Sequence, residues 1–207
     1  IMNCMKNDLH TIFGNIDIYL FDQLLKGRFD NCRNVLDVGC GSGRNLIYFL
    51  QNGFNVFAID HNEESIKNVK ALSQKLAPAN SVENILVASA EDIPFSNSSF
   101  DLVISSAVLH FANNKTQFEA MLNSMWRVLK PNGFLFVRLA SSIGIETLIK
   151  DIGDGRYLLP DGTERYLVDE QKLFQYSKQL NGRLFEDIKT TNVQNLRCMT
   201  TWCLQKM

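Results

Sequence analysis

Short apolar runs rich in β-branched residues alternate along the chain with longer segments whose apolar positions recur every three to four residues. That alternation predicts a parallel sheet with helices on both of its faces. Residues 34–38, NVLDV, read as a first buried strand. A glycine-rich turn follows, then a helix over 44–51 that stops at Asn52-Gly53, with Gly53 as a left-handed C-cap. A second strand is expected at 54–59 and a second helix at 63–76, ended near Pro78. Further strands follow at 84–88 and 100–105. The clearest helical pattern covers 115–129: Phe118, Met121, Leu122, Met125, Trp126 and Leu129 fall on one stripe, which marks them as core. Pro131-Asn132-Gly133 reads as a turn into a fifth strand at 134–139.

Beyond that strand the pattern changes. Residues 141–168 form an irregular insert, in which 156–159 and 165–168 flank Pro160-Asp161-Gly162 and predict a β-hairpin. A helix is expected over 169–180, with Asp169 as its N-cap, ended by Asn181-Gly182. Segments 185–193 and 198–205 read as two closing strands, and the short link between them requires antiparallel pairing. Before residue 34 one helix is expected, over about 16–26. No linker or low-complexity stretch divides the chain. The expectation is one domain over 1–207, of doubly wound, mostly parallel α/β class with an antiparallel C-terminal strand. It carries an N-terminal helical segment (about 1–30) and an insert on the substrate side (about 141–168).

Composition changes this picture little. The chain has 207 residues, a net charge of −1, 45% hydrophobic and 21% charged residues, an ordinary globular balance. No global charge draws it toward nucleic acid or anionic lipid. The five cysteines, Cys4, Cys32, Cys40, Cys198 and Cys203, are odd in number. Their spacing fits neither a zinc site nor a disulfide framework, so no metal is expected and a reducing cytoplasm is the simplest setting. Lys6, Asp8 and His10 interrupt the opening apolar residues, unlike a signal peptide. No apolar run approaches the roughly 20 residues that span a bilayer, so no membrane association is expected.

The richest stretch is Asp37-Val38-Gly39-Cys40-Gly41-Ser42-Gly43. Glycines there permit positive φ and close approach of the backbone to a ligand. A helix N-terminus beyond them would favour an anionic group. Ligands of open parallel sheets sit at the carboxyl ends of the strands. A dinucleotide fingerprint needs its third Gly or Ala three positions after the second, whereas Arg44 stands there. Asp37 would also repel a pyrophosphate. It would attract a cationic amino acid, by up to ~4 kcal/mol at 4 Å and an effective dielectric of 20, before desolvation. S-adenosylmethionine has an ammonium and a sulfonium for the acid, and a carboxylate for the backbone N–H groups.

Residues 35–45, VLDVGCGSGRN, resemble the first motif of class I, seven-stranded S-adenosylmethionine-dependent methyltransferases. Four further stretches resemble that family in order: 57–60 (FAID), 90–95 (AEDIPF), 100–110 (FDLVISSAVLH) and 129–135 (LKPNGFL), where Asn132 replaces a usual glycine. The resemblance covers about residues 33–140 and the final strand pair. It implies S-adenosylmethionine as cofactor and S-adenosylhomocysteine as product. It places Asp60 on the ribose hydroxyls and Asp92 toward the adenine amine. The cofactor-binding set it implies is Asp37, Gly39, Cys40, Gly41, Ser42, Gly43, Asp60, His61, Glu91, Asp92, Ile93, Ser105 and Ser106. Cys40 is read as a small buried liner of the cofactor and not as a nucleophile. His110, at the ligand edge of the fourth strand, is a candidate base with an ordinary pKa near 6.5, against a purely structural role. Arg138, Arg156, Tyr157 and Arg165 join it as substrate-binding candidates, with Tyr157 also a catalytic candidate. Arg156, Tyr157, Arg165 and Tyr166 would form a lid, and Tyr19 would close over the methionine end.

The fourth strand carries no Asn/Asp-Pro-Pro-aromatic element, which argues against exocyclic-amine methylation of nucleic acids. A small-molecule acceptor is therefore expected, methylated by in-line displacement. The motifs look most like the quinone-biosynthesis and tellurite-resistance types of methyltransferase. Three rivals remain: a non-catalytic cofactor-binding regulatory or scaffold module, a nicotinamide-dependent oxidoreductase, and an aminopropyl transferase on the same fold.

Overall fold

A computed structural model of the protein describes residues 9–207; Cys4, Lys6 and Asp8 lie outside the described residues. The helices are α1 (Leu9–Phe13), α2 (Ile18–Leu25), α3 (Ile47–Gln51), α4 (Glu63–Leu76), α5 (Lys115–Val128) and α6 (Glu170–Gln179). The strands are β1 (Asn34–Val38), β2 (Asn55–Asp60), β3 (Ile85–Val87), β4 (Phe100–Ser106), β5 (Leu129–Ser141), β6 (Lys150–Gly153), β7 (Arg156–Leu158), β8 (Glu164–Tyr166), β9 (Gly182–Leu184), β10 (Lys189–Val193) and β11 (Arg197–Lys206).

The main sheet runs β10-β11-β5-β4-β1-β2-β3. Strands β3, β2, β1, β4 and β5 pair in parallel, while β11 is antiparallel to β5 and to β10. The sheet is seven positions wide, as expected, yet holds eight strands. The outermost position is shared by β10, paired with Arg197–Thr201, and β9, paired with Leu204–Lys206. The strand expected over 185–193 is broken because Glu186 turns away to meet Lys26 Nζ at 2.8 Å and Lys189 Nζ at 2.7 Å.

Alternation along the strands sends side chains to two cores. Leu36 and Val38 of β1 with Leu135, Val137 and Leu139 of β5 pack beneath α5 and α6. Val35 of β1, Ala58 of β2 and Phe136 of β5 pack on the opposite face with Leu20, Phe49 and Val69 of the other helices. The α5 stripe is core, with Phe118, Met121, Leu122, Met125 and Trp126 all buried. Asn62, Asn114 and Asp169 cap α4, α5 and α6 by accepting backbone N–H bonds, which replaces donors that a helix start leaves free.

Several local expectations need correction. The helix expected over 44–51 begins only at Ile47, because 44–46 are consecutive turns tied by Gly43 N–H to Cys40 O and Leu46 N–H to Gly43 O. Pro131-Asn132-Gly133 does not precede β5 but bulges within it: pairing jumps from Phe100–Leu129 to Leu102–Phe134, with Asn132 at φ +63°. The expected hairpin exists as β7 and β8, and β6 adds a third antiparallel strand. The N-terminal helix is α2, capped by Asp17, and α1 precedes it.

Candidate functional site

Strand order reverses where β1 lies between β4 and β2, the position at which open α/β sheets form a ligand crevice. The β1 turn is held against β2 there. The N–H groups of Gly39 and Cys40 both donate to Ile59 O, at 2.8 and 3.0 Å. Asp60, ending β2, accepts Gly41 N–H on Oδ2 at 2.8 Å and Asn62 N–H on Oδ1 at 2.9 Å. Gly39, Gly41 and Gly43 have φ of +71°, +52° and +80°. A Cβ at Gly39 would lie 2.5 Å from Val108, whereas at Gly41 it would meet nothing within 4 Å. Gly39 is thus fixed by packing, and Gly41 borders open space.

Beside this turn lies a cavity of about 440 Å³. Gly39, Asp60 and His61 line one side, and residues 88–91 line another. Val108, Phe111, Gln117 and Met121 also line it. Gln117 is fixed by accepting Asn113 N–H at 2.7 Å and donating to Glu91. Under the turn, Asp37 is only 1% exposed and its Oδ2 has no hydrogen-bond partner among the described residues. Burial pushes its carboxyl up to about 7; Arg44 opposes the rise and Asp60 adds to it. Asp60 and Glu91 give this cavity an acidic lining, with Asp37 buried outside it, which suits a cationic ligand and opposes a pyrophosphate.

A second cavity of about 240 Å³ shares Ala107 with the first and is lined by His110, Asp161, Thr163, Arg165 and Arg197. Ala107 sits at φ +65°, a conformation costing about 1 kcal/mol or more outside glycine. Its N–H donates to Arg138 O at 2.8 Å, so the bend after β4 is held where the cavities meet. His110, 4% exposed, accepts Ala140 N–H on Nδ1 at 3.1 Å. Burial, then the charges of Arg165 and Arg197, lower its pKa to about 4.

The methyltransferase-domain family matches residues 36–137. This chain carries a methyltransferase domain of the class I, S-adenosylmethionine-dependent type. Among similar proteins is the probable S-adenosyl-L-methionine-dependent methyltransferase TehB of Haemophilus influenzae, 28% identical over 67% of this chain and 47% of that protein. The ubiquinone/menaquinone biosynthesis C-methyltransferase UbiE of Rickettsia prowazekii is 35% identical over 57% of this chain and 48% of its own length. The chain spans about half the length of the curated relatives it matches. A Burkholderia thailandensis 1,6-didemethyltoxoflavin-N1-methyltransferase, solved with S-adenosylhomocysteine, shares the fold at TM-score 0.70 and 17% identity, covering 97% of this chain and 81% of that one.

Against this methyltransferase domain the sequence-expected residues separate. Gly39, Asp60, His61 and Glu91 line the larger cavity, and His110 and Arg165 line the smaller. Asp92 is exposed and lines neither cavity; Ile93 is buried, its N–H donating to Ser124 Oγ at 3.0 Å. Cys40 is buried and its thiol is pushed upward by desolvation, which suits an inert liner. Ser42 is exposed, and Ser105 Oγ is buried without a hydrogen-bond partner among the described residues.

Ser106 and Arg138 belong to a third group. Asp17 Oδ2 lies 3.3 Å from Arg138 Nε and accepts from Ser106 Oγ at 3.3 Å; Arg44 Nη2 donates to Ser106 Oγ at 3.0 Å. Arg138 also lies over the Tyr19 ring, 4.5 Å from its centroid, and Tyr19 bonds Thr191 through its hydroxyl. The N-terminal segment therefore takes up Arg138 and Ser106, and Tyr19 does not line the larger cavity.

The expected lid also needs revision. Tyr166 is 3% exposed and stacks on Phe118. Tyr157 packs with Leu159 and Leu167, and Arg156 pairs with its cross-strand neighbour Glu164 at 2.9 Å; neither lines either of these two cavities. Residues missed from the sequence include Gln117, Met121, which the helical stripe identified only as structural, and Arg197. Its place depends on the register of β11 on β5, which sets its chain neighbour Cys198 opposite Ser141. No local pattern encodes that register. Among the described residues no His, Cys, Asp or Glu cluster is arranged to hold a metal, and no helix is long and apolar enough to cross a membrane.

Proposed function

We propose that this domain binds S-adenosylmethionine in the larger cavity and transfers its methyl group to a small-molecule acceptor seated in the smaller one. The observation that carries this reading is that the two cavities meet at Ala107. The cofactor supplies a methyl group already activated on a sulfonium. The residues present suit it: Asp37 Oδ2 is a buried acceptor with nothing to accept from, matching an ammonium. Both Asp60 oxygens accept backbone N–H bonds, and each keeps a second lone pair for a sugar hydroxyl. Ala88, Ala90 and Met121 offer an apolar wall for a flat base, and open space at Gly41 leaves room for the tail.

The protein's main contribution is alignment, which can supply on the order of 7–11 kcal/mol toward an in-line displacement. In that reaction an acceptor lone pair forms the new bond to the methyl carbon, and the C–S electrons return to sulfur. The β6–β8 insert covers the acceptor side, with Leu159, Asp161, Thr163 and Arg165 among the lining residues, and shields the site from water. His110 is not the base envisaged from the sequence. Its Nδ1 is occupied by Ala140 N–H, so the neutral ring carries its proton on Nε2 and donates. We propose that it orients the acceptor. Titration calorimetry with S-adenosylmethionine, followed by methyl transfer to a panel of metabolites, tests the reading. Saturable binding with a methylated product supports it; tight binding with no product across the panel favours the non-catalytic module.

A further inference from the structure

The smaller cavity is charged in a way that methyl transfer itself does not require. Among the described residues Arg165 makes no ion pair: its Nη1 donates to Glu164 O at 2.7 Å, and its guanidinium lies over the Phe111 ring, 4.8 Å from the centroid. Arg197 has one acidic neighbour, Asp161, with Oδ2 at 3.8 Å. Asp161 is itself engaged on its other oxygen, which accepts from Thr163 N–H at 3.0 Å and Thr163 Oγ1 at 2.6 Å. His110 adds no charge in its neutral form. Among the described residues, two guanidiniums therefore line this cavity with one carboxylate, leaving a single unbalanced positive charge beside His110, Thr163 and the apolar Ala107, Ala140, Leu159 and Met199.

Arg197 is exposed and Arg165 half-buried; an unbalanced cation in such a partly apolar cavity attracts a matching anion, and a planar guanidinium matches a carboxylate with two parallel N–H bonds. The volume of about 240 Å³ lies below the roughly 300–1,000 Å³ of ordinary ligand pockets, so the occupant is small. We propose that the methyl acceptor is a small organic monocarboxylate, its carboxylate held by Arg165 and Arg197 and its apolar body directed toward Ala107. This rests on the reading above that the smaller cavity is the acceptor site. The carboxylate is the anchor and the methylated atom is at the other end. The single excess charge matches a monoanion better than a phosphate dianion. The anchor also links the insert, which carries Arg165, to β11, which carries Arg197, so an acceptor bridging them would hold the insert closed.

The test uses the full chain with S-adenosylhomocysteine bound, titrated by NMR with benzoate, its neutral isostere benzamide and the dianion phenylphosphonate. Benzoate should bind at least tenfold more tightly than benzamide. Arg165→Gln and Arg197→Gln should each weaken benzoate about tenfold, leaving benzamide and S-adenosylhomocysteine affinities unchanged. Equal binding of benzoate and benzamide, no binding of either, or benzoate binding insensitive to both substitutions would overturn the proposal. Tighter binding of phenylphosphonate would overturn the monocarboxylate assignment. Calorimetry with S-adenosylhomocysteine alone reports separately on the cofactor reading: if it fails while the benzoate pattern holds, the anion site stands and the methyltransferase assignment of the cavities falls.

Discussion

Asp37→Asn should make the ligand-free protein more stable and a poorer binder of its cofactor. Burial pushes the Asp37 carboxyl up to about 7, from 3.8 for an ordinary aspartate. Between those values the folded chain keeps a proton that the unfolded chain has released. Stability therefore falls as pH rises through this window, and the full cost is present above pH 7. About three pKa units correspond to about 4 kcal/mol. Asparagine cannot ionise and escapes that cost, but its amide N–H groups enter a site without partners, at about 1–3 kcal/mol. The net gain at pH 8 is on the order of 1–3 kcal/mol, roughly 5 °C in Tm for a chain of this size. It should shrink by about 3 kcal/mol, and so vanish, at pH 5, where the wild-type carboxyl is protonated. Losing one partner of a buried charge pair costs about 2 kcal/mol or more on the ligand side, at least ~30-fold in Kd. Thermal unfolding at pH 5 and 8 and calorimetry with S-adenosylmethionine check both halves. A variant less stable at pH 8 that binds with unchanged affinity would refute the reasoning.

Asp60→Ala should weaken cofactor binding at least tenfold by calorimetry. It should also lower Tm while leaving the chain folded, because Asp60 accepts the N–H groups of Gly41 and Asn62; unchanged affinity would remove it from the sugar site. Gly39→Ala and Gly41→Ala should differ. The first clashes with Val108 at 2.5 Å and should cost more than about 1 kcal/mol of stability. The second meets no clash and should cost only about 1 kcal/mol, for a side chain at φ +52°, while also reducing cofactor affinity, measured by urea unfolding and calorimetry side by side. His110 should titrate near 4 in an NMR pH series. Because its folded pKa is depressed, the unfolded chain binds the proton first. Its contribution to stability is therefore lost as pH falls from 6.5 toward 4. A measured His110 pKa above 6 would restore it as a candidate base.

The sequence revealed what repeats along it and hid what depends on register. Helix α4 was expected at 63–76 and occupies Glu63–Leu76, and α5 differs from expectation by one residue, since both bury a regular stripe and begin at an asparagine cap. The five-residue α1 and three-residue β9 carry too few positions to show a period, and β9 exists because β11 offers it an edge. The turn Asp37–Gly43 was legible because glycines at alternate positions mark an unusual backbone. The second cavity was only half legible. Arg165 stood out beside the hairpin turn, but Arg197 lines it with Arg165 only through long-range pairing of β11 with β5. Arg138 was expected to face substrate, and the Asp17 carboxylate takes its place as partner. No local pattern links residues 121 positions apart.

A crystal structure of the protein grown with S-adenosylhomocysteine tests the central claim most directly. The account predicts the ligand in the larger cavity, its amino group within hydrogen-bond reach of Asp37 and its sugar hydroxyls at Asp60. A ligand bound elsewhere, or a cavity that instead takes a nicotinamide dinucleotide, would contradict it.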